Sequence, residues 1–267
     1  MTDLASLSRR EIERYDRQMM IRGWGHEGQT KLKLAKVVVA GAGGLGCPAA
    51  LYLCAAGVGR IRIIDKERVE LSNLNRQILH CESDVGRNKA ESAKEKLERL
   101  NSDAAIEAVN VAITDQNARE LIQGFNVVVD GMDNFQTRFV LNRSCVSEDI
   151  SFVHGSIYGL EGYMTTIVPH KTPCLTCIYG EPPPEMEKFP VVGPTASSIA
   201  CLQVMEALKL ITGIGTPYSG RLLFWDGADM RFTEIEVQRK RDCPVCSGPR
   251  LASNSTTNNK VIELQQN

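Results

Sequence analysis

No uncharged apolar stretch in these 267 residues approaches the ~18 needed to cross a bilayer. The opening MTDLASLSRREIERYDRQ is polar and charged rather than a signal peptide, so a cytoplasmic chain is expected. A surplus of charge is lacking as well: 31 Lys+Arg stand against 32 Asp+Glu, a net charge of −1. No global basic field then draws the protein to nucleic acid or to an anionic membrane, and any work on phosphates must be local. No internal repeat is visible, and the Walker A pattern G-x-x-x-x-G-K-[ST] is missing, which disfavours an ordinary P-loop ATPase.

What remains is an alternation. The apolar runs KVVVAG, RIRIID, AAIEAVN, NVVVDG and SFVHGSIYG are separated by helical patterns, clearest in NKAESAKEKLERLN, where Ala90, Ala93, Leu97 and Leu100 share a face. This predicts an α/β fold, a Rossmann-like doubly wound and mainly parallel sheet. From about Gly155 the strands GYMTTIVP, RLLFWDG and RFTEIEVQ surround one helix, SSIACLQVMEALKLITG, which predicts antiparallel strands extending the sheet. The expected organisation is a helical arm over 1–30, one domain over 31–248 whose nucleotide-binding part ends at about 155, and a polar tail over 249–267 expected to be disordered. The proline-rich EPPPEMEKFP reads as a long loop.

Gly41, Gly43 and Gly46, with Gly44 between them, fit G-x-G-x-x-G directly after a strand and before a helix. That context places backbone amides at a helix N-terminus against a phosphate. Asp65 ends the second strand, where an acid can accept hydrogen bonds from a ribose. A redox dinucleotide needs little more, whereas an ATP undergoing cleavage needs cations for the departing pyrophosphate. Asn73, Arg76 and Gln77 follow the second strand and Lys89 opens the next helix, a set suited to a triphosphate, although each alone also reads as solvated loop. Asp130 and Asp133 flank the end of the fourth strand; Asp133 is favoured as the Mg²⁺ carboxylate, with Asp130 open to a structural capping role.

Nine cysteines are many for a reducing compartment. Cys174 with Cys177 and Cys243 with Cys246 form two C-x-x-C knuckles, read as a closed, structural Cys₄ zinc site; two independent redox pairs are the rival reading. Packing is expected for Cys47, Cys54, Cys201, Cys81 and Cys145.

Taken together, RYDRQ, GAGGLG, IIDKERVELSNLNRQ, VGRNKAESA, GMDN and the paired cysteines resemble the ThiF/MoeB/HesA adenylyltransferases, kin to ubiquitin-activating enzymes, over about residues 11–248. The resemblance implies ATP as substrate, the ribose on Asp65, the phosphates on Asn73, Arg76, Gln77 and Lys89, and Asp133 serving Mg²⁺ and catalysis. It also implies structural zinc, and a homodimer in which Arg17 of the arm reaches the other subunit's site. The implied reaction is adenylation of the C-terminal glycine of a small ubiquitin-like sulfur carrier ending in Gly-Gly, in molybdopterin, thiamin or related pathways, with residues 156–248 binding carrier and zinc. Adenylation of a small-molecule carboxylate is the alternative. An NAD-dependent oxidoreductase is a further one, disfavoured because no hydride-transfer partner stands out among His26, His80, His154 and His170. Some relatives carry a reactive cysteine after the first knuckle; none lies between Cys177 and Cys201. A non-covalent route with an external sulfurtransferase is therefore expected. No rhodanese-like domain is expected to follow Cys246. The loop from Glu181 to Pro194 is the candidate gate over the site.

Overall fold

The computed structural model describes residues 6–184 and 188–248; the tail expected to be disordered lies outside them. Strands β1 (Lys36–Ala40), β2 (Arg60–Ile64), β3 (Ala105–Val109), β4 (Val127–Asp130) and β5 (Ser151–Tyr158) run parallel. Strands β6 (Glu161–Ile167), β7 (Arg221–Asp226) and β8 (Arg231–Glu236) continue the sheet antiparallel, in the order β3-β2-β1-β4-β5-β6-β7-β8. The helices are α1 (Arg9–Met19), α2 (Gly25–Leu34), α3 (Gly46–Ala56), α4 (Lys89–Leu100), α5 (Ala118–Ile122), α6 (Phe135–Ser147), α7 (Leu175–Tyr179) and α8 (Gly193–Thr212).

The apolar runs of the central strands are buried on both faces because helices cover both. Val37, Val39, Ile61, Ile63, Val127 and Val129 join one core with Leu53, Leu97 and Ile199 from α3, α4 and α8. Val38, Ala40, Ile64 and Val128 turn to the other, with Ile122 and Leu141 from α5 and α6 and the four knuckle cysteines. Burying an aliphatic chain of this size contributes about 1.5–3 kcal/mol. The chain leaves β1 for β2 on one side and returns to β4 on the other, so a crevice opens above the C-terminal ends of β1 and β4. Strand β5 outruns its neighbour: only Ser151, Phe152 and Val153 pair with β4, while the stretch through Tyr158 pairs with β6 alone. This overhang forms a shelf beside the crevice.

Several local expectations are corrected. Helix α8 begins at Gly193 rather than near Ser197, because Pro194 falls in its first turn, where a missing N–H costs nothing. Leu100 is exposed; Asn101 takes the buried position after it, its Nδ2 donating to the Tyr15 hydroxyl and the Cys54 carbonyl (both 2.9 Å). Cys201 and Cys81 are exposed rather than packed. Cys201 lies at the flank of the α8 stripe formed by the buried Ala200, Val204 and Ala207, and the Cys81 thiol donates to Asp84 Oδ2 at 3.0 Å. Cys47, Cys54 and Cys145 are buried, and burial pushes the Cys47 thiol up to about 12, keeping it protonated. In the arm, Ser8 caps α1 reciprocally with Glu11, and Tyr15 and Gln18 tie the helix to the domain through Asn101 and the Ala56 carbonyl. Helix α2 runs four residues past the expected edge of the arm at 30, since Leu32 is wholly buried.

Candidate active site

The glycines have separate physical reasons. Gly41 has φ +99°, and a Cβ there would stand 2.5 Å from the Gly131 carbonyl oxygen. A Cβ on Gly46 would overlap the Gly41 carbonyl, so this glycine lets α3 close on β1. Gly43 has no such conflict, its nearest neighbour being Gln77 Nε2 at 3.8 Å. Packing thus accounts for the first and third glycines and leaves the second open toward the cavity, where a phosphate would lie against the amides leading into α3. Gly46→Ala is expected to yield little folded protein, whereas Gly43→Ala should keep its Tm within a few degrees and raise the KM for ATP about tenfold; thermal melts beside ATP titrations separate the two.

Asp65, at the end of β2, binds this loop to the next. Its Oδ2 accepts from Ala42 N (2.8 Å) and its Oδ1 from Glu67 N (2.7 Å). Burial raises its carboxyl above the ordinary aspartate value, and the two amides oppose that rise. Behind the loop His80 Nε2 meets the Ala42 carbonyl at 3.1 Å and Nδ1 meets Ser92 Oγ at 2.9 Å. Asn88 caps α4 and donates to the Asp65 and Glu67 carbonyls, which puts Lys89 at the first helical position. The Lys89 side chain is 4% exposed and pairs with Glu67 at 2.6 Å. Arg76 is half-buried, its Nη1 donating to the Ser72 carbonyl (2.9 Å) and Asn75 Oδ1 (3.0 Å). Gln77 lines the cavity and is buried, with its Oε1 unpartnered among the described residues.

Beyond β4, Asp133 is exposed at the cavity one residue before Asn134, which caps α6 by accepting from Thr137 N. Its Oδ1 accepts from Asn134 Nδ2 at 3.2 Å, and among the described residues no Lys or Arg pairs with it. Asp130 is buried completely. Its Oδ1 accepts from Met132 N (3.0 Å), while Oδ2 meets His154 Nδ1 (2.7 Å) and Arg138 Nε (3.2 Å). Arg138 also donates to the Met132 and Gly155 carbonyls. Beyond His154, the Tyr179 hydroxyl lies 3.4 Å from Nε2.

A cavity of about 1090 Å³ opens among these groups. Gly41, Gly43, Gly44, Asp65, Arg76, Gln77, Lys89 and Asp133 are on its walls. Gly46 is not, being packed beneath the turn; nor is Asn73, whose Oδ1 is engaged by Glu70 N in a 3₁₀ turn. Arg17 is exposed on α1, away from these walls. The shelf of β5 and β6 supplies Ser156, Tyr158 and Tyr163, and the 181–192 loop supplies Pro183, Lys188 and Phe189. The far end of that loop is held to the shelf by Gly159 N donating to the Pro190 carbonyl at 2.8 Å. Sequence reading passed over Glu67, Arg138, His154 and Tyr179. Arg138 carried a usable signal, since it stands one helical turn past the Asn134 cap and so beside the same crevice.

Cys174, Cys177, Cys243 and Cys246 are buried with their sulfurs all within 4.8 Å of one another; Cys174–Cys243 is 3.7 Å and Cys177–Cys246 is 3.5 Å. Four thiolates at about 2.3 Å from a tetrahedral zinc would be about 3.8 Å apart, so the donor set could hold zinc with no position left for water.

A doubly wound sheet with a glycine turn, an acid ending its second strand and cations at its switch point, joined to a four-cysteine centre, defines an α/β protein of the kind that binds nucleotides. The profile of the ThiF family matches residues 15–245, and the chain belongs to that family. It is 44% identical over 246 residues to the SAMP-activating enzyme E1 of Haloferax volcanii, covering 90% of this chain and 91% of the relative. It is 40% identical over 250 residues to the sulfur carrier protein adenylyltransferase of Thermus thermophilus, covering 90% and 92%. The adenylyltransferase and sulfurtransferase MOCS3 of Aedes aegypti is 42% identical over 267 residues, 97% of this chain but 60% of that protein's length. Among solved structures, E. coli MccB with ATP superposes with a TM-score of 0.80 at 25% identity, covering 88% of this chain and 75% of that one. No helix among the described residues is long and apolar enough to cross a membrane.

Proposed function

We propose that this protein adenylates, at the expense of ATP, the C-terminal glycine carboxylate of a small ubiquitin-like sulfur carrier and releases pyrophosphate. The observation that carries the reading is a single cavity. Its inner half joins the open glycine, Asp65, Arg76 and Lys89, and its outer half is an aromatic shelf that the nucleotide groups do not need. The acceptor carboxylate is already ionised at pH 7, so no general base is required for attack on the α-phosphorus. Asp65 holds the ribose. The amides at Gly43 and the cations Arg76 and Lys89 balance charge moving onto the departing pyrophosphate. Asp133, a carboxylate at the cavity that no Lys or Arg among the described residues pairs with, would hold Mg²⁺, which would supply charge neutralisation at the phosphates. The rest of the catalysis is positioning.

The four-cysteine cluster holds structural zinc in this reading. Arg17, exposed on the arm, completes the site of a second copy in a homodimer, and the 181–192 loop admits the carrier tail. With no cysteine between Cys177 and Cys201, the acyl-adenylate is passed to a sulfur donor from outside, in a reducing cytoplasm where the thiols stay free. The similarity to proteins named as a SAMP-activating enzyme and a sulfur carrier protein adenylyltransferase supports this assignment. The test is ATP–pyrophosphate exchange with labelled pyrophosphate against purified carriers ending in Gly-Gly. Exchange dependent on one carrier is expected. Exchange with none, together with tight NAD binding, would overturn the proposal.

A further inference from the structure

The chain Asp130–His154–Tyr179 is joined from three elements and is not used by the nucleotide. Asp130 Oδ2 lies 3.2 Å from Arg138 Nε and 2.7 Å from His154 Nδ1, and a carboxylate facing both can only accept, so His154 Nδ1 is the donor between them. Burial holds the imidazole below its ordinary pKa despite Asp130, so it is neutral at pH 7 and Nε2 carries no proton. Nε2 can then only accept, and the Tyr179 hydroxyl must donate to it. The phenol is thereby committed: its proton points inward, and its oxygen presents lone pairs outward. The Ser156 hydroxyl is its neighbour on the cavity wall. Tyr179 is further fixed by Phe135, edge-on at 5.2 Å, which itself lies under the Arg138 guanidinium. Tyr179 lines the cavity on the side of the shelf, beside Tyr163 and Ser156.

A hydroxyl whose own proton is committed inward can only accept, so it selects a group that donates. A small free carboxylate offers none there, whereas an extended peptide carries one per residue. Resting on the adenylation reading above, we infer that Tyr179 recognises a backbone N–H of the acceptor's C-terminal tail, and that His154 and Asp130 act as positioning residues which fix the direction of that hydrogen bond. The site is thus built for a peptidyl carboxylate and not for a small-molecule acid.

The probes are carriers ending in Gly-Gly and the same carriers with N-methylglycine at the last or the penultimate position, which deletes one N–H at a time. Tyr179→Phe is expected to raise the KM for the Gly-Gly carrier about five- to tenfold, the weight of one neutral hydrogen bond, with the KM for ATP within twofold. One of the two N-methylated carriers should cost the wild type as much and cost Tyr179→Phe nothing further. His154→Asn keeps a donor toward Asp130 but cannot reach Tyr179, and should behave like Tyr179→Phe; His154→Gln extends as far as Nε2 and should recover most of the loss. An unchanged carrier KM in Tyr179→Phe, an equal rise in the KM for ATP, or additive losses with both N-methylated carriers would each overturn the inference while leaving adenylation intact. Wild-type enzyme that exchanges with no carrier would instead overturn the adenylation reading beneath it.

Discussion

Replacing Lys89 with alanine is expected to cut carrier-dependent ATP–pyrophosphate exchange by roughly 10²–10³-fold, the cost of removing one preorganised charge from a closed site. Two features make Lys89 the cation with the most to lose. It is almost wholly buried at the start of α4, so its charge acts across little water, and it is held by Glu67 rather than searching for a geometry. Its removal also leaves the Glu67 carboxylate on the cavity wall facing the phosphates, which adds repulsion to the lost attraction. Glu67 is half-exposed and can be hydrated, so the variant should melt within a few degrees of the wild type. Restoring part of the rate by adding Glu67→Ala would identify the repulsion. Arg76→Ala should fall in the same direction by less, because its guanidinium is half-solvated. An exchange rate for Lys89→Ala within threefold of wild type, at saturating carrier and ATP, would place the pyrophosphate elsewhere.

Stripping the cysteine centre is the second large effect. Chelation, or Cys243→Ser, is expected to lower Tm by about 10–20 °C: loss of several kcal/mol of metal-linked folding energy at about 2–4 °C per kcal/mol for a chain of this size. The physical basis is that Cys174 and Cys177 lie in the same core as β4 and α6, while Cys243 and Cys246 have no regular element of their own and reach that core through the cluster. Wild-type protein should carry a single zinc per chain by elemental analysis. Protein that lacks zinc, keeps its Tm on chelation and shows two reducible pairs would return the redox reading of these knuckles.

The layout of the sheet and the inner half of the cavity were legible because their determinants are local. Each of β1 to β5 announces itself by an apolar run, the glycine turn and Asp65 follow their strands directly, and the Arg76 segment comes in the loop after β2. The start of α4 was readable for the same reason, with Lys89 directly after its Asn88 cap. The outer half was not. His154 sits mid-strand in an apolar run, where the pattern says core, and only the pairing of β4 with β5 brings it to Asp130, 24 residues earlier. Tyr179 looks like the end of a knuckle helix until that helix is placed against β5. Exposure failed at Cys201 because α8 is apolar nearly all round, so its period does not say which side a neighbouring layer will cover. Asn73 was grouped with its polar neighbours, yet its side chain is taken up by the Glu70 amide, a local competition that composition cannot rank.

The spacing of the knuckles sets how much of the chain the cluster encloses. Cys174 and Cys177 meet partners 69 residues further along, and the span between contains the 181–192 loop, α8, β7 and β8. Tyr179 stands two residues past Cys177, so the four-cysteine centre closes directly behind the hydroxyl that meets His154. The cluster is thus the buckle of a belt of 69 residues that carries α8, β7 and β8 round to the core of β4 and α6.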